Sequence, residues 1–517
     1  MSGFSSRTLR RALLVPLVLI AGSMVAGAEA QAAINLETGS QMKIRGAASG
    51  DLAGYSVAGA GDVNGDGIPD VILGAMWADN PGGQDSGSAY VVFGTRSKTT
   101  VNLASLGSAG FKIQGPAGAP NPGANAGISV DGVGDMNGDG LADVIVGAWM
   151  ADSNGRSNSG SAYVVFGKAS STTVDLGALG SGGFSIDGAA RGDSAGSSVA
   201  GAGDVNGDGI PDVVVGADND GPRDRAGAAY VVFGKASTTP VDLLTFGLPG
   251  VGHPGFRIDG AQEGDFVGDA VSGAGDVNGD GRPDVVVGAS GADINARVDS
   301  GSAYVVFGKS STDPVQLATF GTPVGNAGFR IDGAAAGDQT GTAVADTGDV
   351  NGDGRPDVVI GAPETDDNGA GSGSAFVVFG SSTLATVDLA ALGARGYRMN
   401  GAGAQYFAGV SVGGAGDVNG DGRPDTIVGA FGRDVWTGSA YAVDGRSATT
   451  TVGLGALDMG GFTMDGTQQQ DEAGSAVDGV GDMNGDGRAD VVVGADLWAT
   501  TPNGTNQPGS VYVVPGQ

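Results

Sequence analysis

Seven copies of one acidic motif, Asp-x-Asn-x-Asp-Gly-x-x-Asp, carry the side chains of this sequence that are best suited to chemistry. In the first copy, Asp62, Asn64, Asp66 and Asp70 supply carboxylate or amide oxygens at positions 1, 3, 5 and 9, and the backbone carbonyl of Ile68 supplies another at position 7. Oxygen-only ligand sets on flexible loops suit Ca²⁺, whereas Mg²⁺ demands a stricter octahedron and Zn²⁺ prefers nitrogen or sulfur. We therefore expect about seven structural calcium ions.

The same oxygen positions recur in every copy, and position 7 varies because only its carbonyl is needed. The expected metal ligands are Asp62, Asn64, Asp66, Ile68 and Asp70; Asp135, Asn137, Asp139, Leu141 and Asp143; Asp204, Asn206, Asp208, Ile210 and Asp212; Asp276, Asn278, Asp280, Arg282 and Asp284; Asp349, Asn351, Asp353, Arg355 and Asp357; Asp417, Asn419, Asp421, Arg423 and Asp425; and Asp482, Asn484, Asp486, Arg488 and Asp490.

These loops are not EF-hands. An EF-hand needs an acidic residue at position 12 and a flanking helix on each side. Position 12 here is Leu73 in the first copy and Val or Ile in the others, and each loop runs into a short β-branched stretch such as Asp212-Val213-Val214-Val215. A short apolar run bounded by glycine predicts a buried strand.

The spacing of the motif predicts a repeat architecture. Successive copies start 73, 69, 72, 73, 68 and 65 residues apart, and such a period is typical of solenoids and propellers. Each repeat contains four strand-like segments bounded by turn residues, which is the pattern of a β-propeller blade. The 102 glycines fit strand ends and sites of close backbone approach.

The repeat resembles the FG-GAP repeat of integrin α-subunit propellers and related bacterial secreted proteins. Phe-Gly occurs at Phe93-Gly94 and at four later third strands, and Gly-Ala-Pro at Gly361-Ala362-Pro363, whereas Asp444-Gly445 and Pro515-Gly516 depart from the pattern. The resemblance covers roughly residues 33 to 517. It implies a seven-bladed propeller with calcium between the first and second strands of each blade, and a role in adhesion or ligand binding.

The two chain ends predict how the ring closes. The last repeat stops after its third strand, whereas the segments Ile34-Asn35-Leu36 and Met42-Lys43-Ile44 match the fourth-strand region of the other repeats. We therefore predict an all-β, seven-bladed β-propeller at residues 31–517, in which the N-terminal strand completes the last blade and covers an open edge.

Residues 1–30 are predicted to be a signal peptide. Arg7, Arg10 and Arg11 precede an apolar run, and Ala28-Glu29-Ala30 fits a signal-peptidase site. The Arg10-Arg11 pair also leaves twin-arginine export open. No later segment is long and apolar enough to span a bilayer, so we expect a secreted or cell-surface monomer.

Composition excludes some functions. A formal net charge of −31 and no basic cluster disfavour nucleic-acid binding. With no cysteine, no disulfide can hold the ring, and calcium is the expected substitute.

Little in the sequence indicates catalysis. The one histidine, His253, lies in a glycine-rich loop without an evident partner, and the Gly-x-Ser-x-Gly pattern around Ser411 falls in a strand instead of a strand-to-helix turn. Carboxylate pairs for polysaccharide hydrolysis or lysis remain an alternative because aspartate is plentiful.

The tryptophans suggest a ligand surface. Trp77, Trp149, Trp436 and Trp498 all fall between second and third strands, on the face opposite the acidic loops, in repeats that become neighbours when the ring closes. They could form an aromatic arc for an extracellular glycan or protein, or pack between blades. Arg191-Gly192-Asp193 matches an integrin-recognised tripeptide, but Gly-Asp belongs to the repeat framework, which favours a chance match.

Overall fold

A computed structural model describes residues 33–517 apart from 82, 117–122, 220–225, 247, 249–250, 323–326, 433–435, 458–459, 469 and 497–507. The predicted signal peptide lies outside the described residues. Within them, no helix has the length and apolar character needed to cross a membrane.

Seven β-sheets radiate from a common axis as the blades of a propeller, which confirms the predicted fold. From the innermost strand outwards, the four main strands are Val57–Gly61, Asp70–Ala75, Ser88–Val92 and Gly110–Gln114 in blade 1; Val130–Gly134, Asp143–Ala148, Ser161–Val165 and Gly183–Asp187 in blade 2; Val199–Gly203, Asp212–Ala217, Ala228–Val232 and Gly255–Asp259 in blade 3; Val267–Gly275, Asp284–Ala289, Ser302–Val306 and Gly328–Asp332 in blade 4; Val344–Gly348, Asp357–Ala362, Ser374–Val378 and Gly396–Asn400 in blade 5; Ser411–Gly416, Asp425–Ala430, Ser439–Val443 and Gly461–Asp465 in blade 6; and Val477–Gly481, Asp490–Ala495, Ser510–Val514 and Met42–Arg45 in blade 7.

The N-terminal strand closes the ring as predicted. Met42–Arg45 pairs antiparallel with Ser510–Val514, with Met42 opposite Val513 and Arg45 opposite Ser510. The innermost strands of blades 1 and 7 also contact each other, so the circle of innermost strands is continuous.

A fifth strand at the outer edge of each blade was not predicted. This edge strand runs parallel to the fourth strand and comes from the repeat that follows in the ring. The edge strands of blades 1 to 7 are Val174–Asp175, Val241–Asp242, Val315–Gln316, Val387–Asp388, Val452–Gly453, Ile34–Asn35 and Thr99–Asn102. Ile34–Asn35 therefore belongs to blade 6 and only Met42–Arg45 completes blade 7, although both segments were expected to pair with the last blade.

A short helical turn follows each edge strand and buries one leucine against the blades. These turns are the α-helix Leu36–Gly39 and the 3-10 helices Leu103–Ser105, Leu176–Ala178, Leu243–Thr245, Leu317–Thr319, Leu389–Ala391 and Leu454–Ala456, with a further 3-10 helix at Gly393–Arg395.

The core consists of layers between adjacent blades. In blades 2 and 3, for example, Ile145 and Phe184 pack in one cluster with Val213 and Tyr230. Because both faces of a blade meet a neighbour, every residue of each second strand is buried. This is why these strands are continuously apolar in sequence, without the alternation of a half-exposed strand.

Candidate functional site

The seven acidic loops connect the innermost strand of each blade to the second strand, and therefore share one face of the ring. Each loop starts at a register shift in the innermost strand, between Gly59 and Gly61 in blade 1, and ends where position 9 of the motif becomes the first residue of the second strand. The strands thus fix both ends of every loop.

The first aspartate of the motif organises the loop. In blade 1, Oδ1 of Asp62 accepts hydrogen bonds from the backbone N–H of Gly65 at 2.7 Å and of Asp66 at 3.0 Å, and Oδ2 accepts from Gly67 at 2.8 Å. Gly65 and Gly67 adopt φ of 80° and 81°, where glycine is strongly favoured. The bond from the first loop glycine recurs at 2.7 Å in all seven blades.

The last aspartate of the motif is buried beneath the loop. Oδ2 of Asp70 accepts from the backbone N–H of Val63 at 2.9 Å, and Oδ1 accepts from that of Gly94 at 2.7 Å. Burial raises the pKa of Asp70 to about 7; the two backbone hydrogen bonds oppose this rise, and the charges of Asp66 and Asp62 add to it. The carboxylates of one loop therefore repel one another when all are ionised.

The pKa values of the equivalent aspartates in the other blades are also raised, and burial is again the main cause. Their pKa values rise to about 7 at Asp212, Asp284, Asp357 and Asp425, and to about 6 at Asp143 and Asp490.

The loops offer a hard cation suitable donor chemistry, because carboxylates, an amide and a backbone carbonyl are all oxygen donors. In the described ranges, however, no three His, Cys, Asp or Glu side chains are drawn together tightly enough to form a metal site by themselves. A cation would therefore depend on the mixed set, including the amide of Asn64 and the carbonyl of Ile68, and would relieve the repulsion around Asp70.

Three of the four tryptophans can be placed on the opposite face; Trp498 lies outside the described residues. Trp77 is 36% exposed, and Trp149 and Trp436 are half-buried. In the described part of the chain, Nε1 of Trp149 is buried without a hydrogen-bond partner.

Trp436 belongs to an aromatic cluster that the sequence did not reveal. Its ring lies 5.4 Å from that of Phe431 and 6.1 Å from that of Phe407, and the ring planes differ by only 19° and 14°. Phe407 and Phe431 are 5.5 Å apart at 11°. Phe407 lies on the connection from blade 5 to blade 6 and Phe431 directly follows the second strand of blade 6, so the cluster occupies the seam between these blades.

Trp436 has an unusual backbone conformation. Its φ is 68°, in the left-handed region, which is rare for a bulky side chain. Trp436 lies three residues before the third strand of its blade. The same position in blades 1, 2 and 4 is occupied by Asp85, Asn158 and Asp299, with φ of 50° to 51°. Asp and Asn tolerate this conformation far better than Trp does.

Other sequence candidates have structural roles in the fold. His253 stacks on Phe246 at 4.8 Å and its Nδ1 lies 3.0 Å from the carbonyl oxygen of Gly255. The Asp193 side chain is 5% exposed and accepts a hydrogen bond from the backbone N–H of Ala190, so the Arg-Gly-Asp tripeptide does not display its carboxylate. Ser411 is the first residue of the innermost strand of blade 6, so it does not lie in a strand-to-helix turn.

Two carboxylates near the propeller axis were not singled out from the sequence. Oδ2 of Asp131 in blade 2 accepts from Gly201 of blade 3 at 2.9 Å, and Oδ2 of Asp478 in blade 7 accepts from Gly59 of blade 1 at 3.1 Å. Burial, together with the charge of Asp478, raises the pKa of Asp131 to about 8, and burial raises that of Asp478 to about 6. Each carboxylate links the innermost strands of two neighbouring blades.

Comparison with known proteins identifies the repeats. The FG-GAP repeat family matches residues 53–92, 118–165, 195–232, 267–306, 341–378 and 473–514. Integrin alpha pat-2 of Caenorhabditis elegans is 31% identical over 251 residues, covering 46% of this chain and 18% of that protein. Integrin alpha-PS2 of Drosophila melanogaster is 28% identical over 183 residues, covering 35% of this chain and 12% of that protein. The chain thus matches less than a fifth of the length of these relatives.

Among solved structures, BBS1N in complex with ARL6DN aligns with 92% of this chain and 97% of that chain, at a TM-score of 0.41 and 9% identity. The Vibrio cholerae biofilm matrix protein Bap1 aligns with 94% of this chain and 90% of that chain, at a TM-score of 0.36 and 13% identity.

Proposed function

From the premise that this chain is an FG-GAP repeat protein, similar in its propeller to integrin α subunits, we propose that it is an exported, calcium-binding module for adhesion or ligand binding. Its ligand is an extracellular glycan or protein. The ligand binds on the face opposite the acidic loops, and the loops hold about seven structural calcium ions.

The observation that carries the ligand-binding proposal is the aromatic cluster at the seam of blades 5 and 6. A strained backbone at a surface aromatic residue is a feature of functional sites, since strain persists only where the surroundings enforce it. Trp436 replaces residues that fit this backbone position better, and it contributes a large ring to the surface. Aromatic anchors of this kind are enriched among residues that dominate binding energy.

The ring separations describe the shape of the cluster. A column of three stacked rings would hold its outer members roughly 7 Å apart, at two van der Waals contacts of about 3.5 Å each. The largest separation here is 6.1 Å, between Phe407 and Trp436. Phe407 and Trp436, both half-buried, are therefore not the outer rings of such a column, and Phe431, in contact range of both, is only 9% exposed. The three rings form one aromatic patch at the seam of blades 5 and 6, with Phe431 as its most buried member.

The slot that holds Phe407 is made by glycine. A Cβ on Gly371 would lie 2.9 Å from the Phe407 ring, and one on Gly432 would lie 2.8 Å from it. Loops of blade 5 and blade 6 thus enclose the ring from two sides, which supports a preformed surface for the ligand.

The calcium proposal is supported by the oxygen donors of the loops and by the repulsion among their carboxylates. A divalent cation at each loop would neutralise this repulsion and stabilise a ring that has no cysteine. Export rests on the pattern of residues 1–30, and the absence of cysteine is compatible with it.

Ligand capture by variants tests the proposed surface. The purified protein, with calcium, is applied to arrays of immobilised glycans and extracellular matrix proteins, and the captured amount is compared with that of a Phe407→Ala, Trp436→Ala variant. The matched control is Phe266→Ala, because Phe266 holds the blade 4 position that corresponds to Phe407, with φ of 56° against 53°. Equal capture by the parent and the double variant would show that the ligand does not bind at this aromatic cluster.

A further inference from the structure

An asparagine–glycine pair in blade 2 is placed for spontaneous chemical modification. Asn154 and Gly155 form the centre of a tight turn on the face opposite the acidic loops, with φ of 51° and 76° and a hydrogen bond from Arg156 N–H to the Ser153 carbonyl at 2.8 Å. Both residues are exposed. We propose that Asn154 is a deamidation site, while the asparagines of the seven acidic loops are protected although they too precede glycine.

The reaction requires a free glycine amide. The deprotonated backbone nitrogen of Gly155 attacks Cγ of Asn154, the side-chain nitrogen leaves as ammonia, and a five-membered succinimide forms. Water then opens the succinimide to aspartate or isoaspartate, so that the net change is addition of one water and loss of one ammonia. Glycine favours this attack because it has no side chain to obstruct the nitrogen.

Hydrogen bonding distinguishes Asn154 from the other candidates. Ten Asn-Gly pairs fall within the described ranges. In the seven acidic loops the glycine N–H donates to the first aspartate at 2.7 Å. Gly369 N–H donates to the Asp366 carbonyl at 3.1 Å and Gly401 N–H to the Gly373 carbonyl at 2.9 Å. The N–H of Gly155 has no acceptor among the described residues.

The loop aspartate therefore protects its own asparagine. Attack on the asparagine requires the glycine nitrogen to lose its proton and turn towards Cγ, and a charge-assisted hydrogen bond to a carboxylate opposes both. The loop asparagines of blades 3 to 5 are also buried, at 7% to 8% exposure.

Modification at residue 154 would change the seam between repeats. Nδ2 of Asn154 donates to Oδ2 of Asp187 at 3.1 Å and to Oδ2 of Asp242 at 3.3 Å. Asp187 ends the fourth strand of blade 2 and Asp242 ends the edge strand that repeat 3 contributes to it. Deamidation replaces the shared donor by a carboxylate, which faces two others, with Arg156 bound to one of them at 2.7 Å.

Blade 4 supplies a natural control for this chemistry. Asn295 and Ala296 form the same turn, with φ of 55° and 60°, and Asn295 donates to Asp332 at 2.9 Å. Alanine thus fits the second turn position. A Cβ built on Gly155 meets nothing within 4 Å, so Gly155→Ala preserves the turn and adds only the methyl group that obstructs attack.

The test follows modification in the folded full-length protein. The parent and Gly155→Ala proteins are incubated in mildly alkaline water enriched in heavy oxygen, digested under acidic conditions and analysed by peptide mass spectrometry. We expect heavy oxygen and isoaspartate at residue 154 of the parent, none in the seven acidic loops, and loss of the residue 154 signal in Gly155→Ala.

Three results would overturn the proposal: labelling of an acidic loop before residue 154, no labelling of residue 154 in the folded protein, or undiminished labelling in Gly155→Ala. The same incubation in urea shows whether the fold sets the order. All ten pairs should then react at similar rates. If residue 154 still reacts first in urea, the local sequence and not the fold determines which asparagine is modified.

Discussion

The backbone N–H of Gly94 donates a hydrogen bond to Oδ1 of Asp70 at 2.7 Å and so joins the end of the third strand to the acidic loop. The equivalent glycine and aspartate are joined in every blade, at 2.7 to 3.1 Å. This includes Gly445 and Gly516, which are preceded by Asp and Pro where the other repeats have Phe. The glycine of the Phe-Gly pair and the last aspartate of the motif therefore form one structural unit, and the phenylalanine is the variable part.

Substituting Gly94 tests this unit. A Cβ at Gly94 would lie 2.1 Å from the carbonyl oxygen of Pro69, so the strand end must move and the buried Asp70 carboxylate loses a donor. We expect Gly94→Ala to lower the free energy of unfolding by about 2–4 kcal/mol, since overpacking and a lost buried hydrogen bond both contribute. Urea denaturation measures the change. The control is Gly453→Ala, where a Cβ meets nothing within 4 Å and the effect should stay within about 0.5 kcal/mol; equal effects would contradict the prediction.

Calcium removal should destabilise the whole ring. At a free calcium concentration tenfold above the dissociation constant, each site contributes about 1.4 kcal/mol, so seven sites rival the net stability of an ordinary domain. We expect the melting temperature to fall by many degrees in excess EGTA, and mass spectrometry to count about seven calcium ions per chain. An unchanged melting temperature with few ions bound would show that the loops are held by their own hydrogen bonds.

Without metal, stability should fall as pH rises. The pKa of Asp70 increases from 3.8 to about 7 on folding, and those of its counterparts increase likewise. The native state therefore binds these protons more tightly than the unfolded state, so this contribution is fully present below pH 4 and is lost as pH approaches 7. The metal-free protein should melt at a higher temperature near pH 5 than near pH 8.

Calcium should oppose this pH dependence, because metal binding needs ionised carboxylates. The increase in melting temperature on adding calcium should be larger near pH 8 than near pH 5. An equal increase in melting temperature at both pH values would show that the carboxylates of the acidic loops do not bind the calcium.

Replacing Trp436 by the residue of blade 2 should spare stability. Trp436→Asn relieves about 1–2 kcal/mol of backbone strain and removes stacking of about 0.5–1.5 kcal/mol per ring pair, so the two effects largely cancel. We expect the melting temperature to change little and ligand capture on the arrays to fall. A large loss of stability would show that the tryptophan is retained for packing.

Alanine substitution in the closing strand Met42–Arg45 should reduce stability more than alanine substitution at an exposed apolar residue. Ile44 is fully buried between blades 7 and 1, so Ile44→Ala should cost about 2–5 kcal/mol through lost burial and a cavity. Val251, at 43% exposure, is the control, and Val251→Ala should be nearly neutral. Comparable denaturation midpoints for the two variants would argue against closure by the N-terminal strand.

Much of the fold could be predicted from the sequence because each blade repeats one local pattern. The apolar run after every acidic loop, together with glycine at strand ends, specified the number of blades and the pairing of Met42–Arg45 with the last one. The edge strands were missed because two residues such as Val174–Asp175 carry no periodicity; their pairing depends on the neighbouring repeat. The recurring Val-Asp-Leu triplet was the available signal.

The candidate sites were only partly predictable. The loop aspartates were evident from spacing, but the burial of Asp70 and its bond to Gly94 depend on the third strand. The partners of Trp436 were not evident, because Phe407 belongs to the preceding repeat connection and meets Phe431 only across the seam of two blades. The carboxylates of Asp131 and Asp478 become neighbours of other blades only in the closed ring.

The edge strands determine when each blade can be completed during synthesis of the chain. Blades 1 to 5 gain their outermost strand only after the next repeat has been made, so each of them is incomplete when its own four strands have emerged. Residues 34–45 emerge before any blade, yet they complete blades 6 and 7, which are made last. The first segment of the ring to be synthesised therefore completes its pairing only with the last repeats, although Met42–Arg45 also pairs with Thr99–Asn102, which the first repeat supplies early.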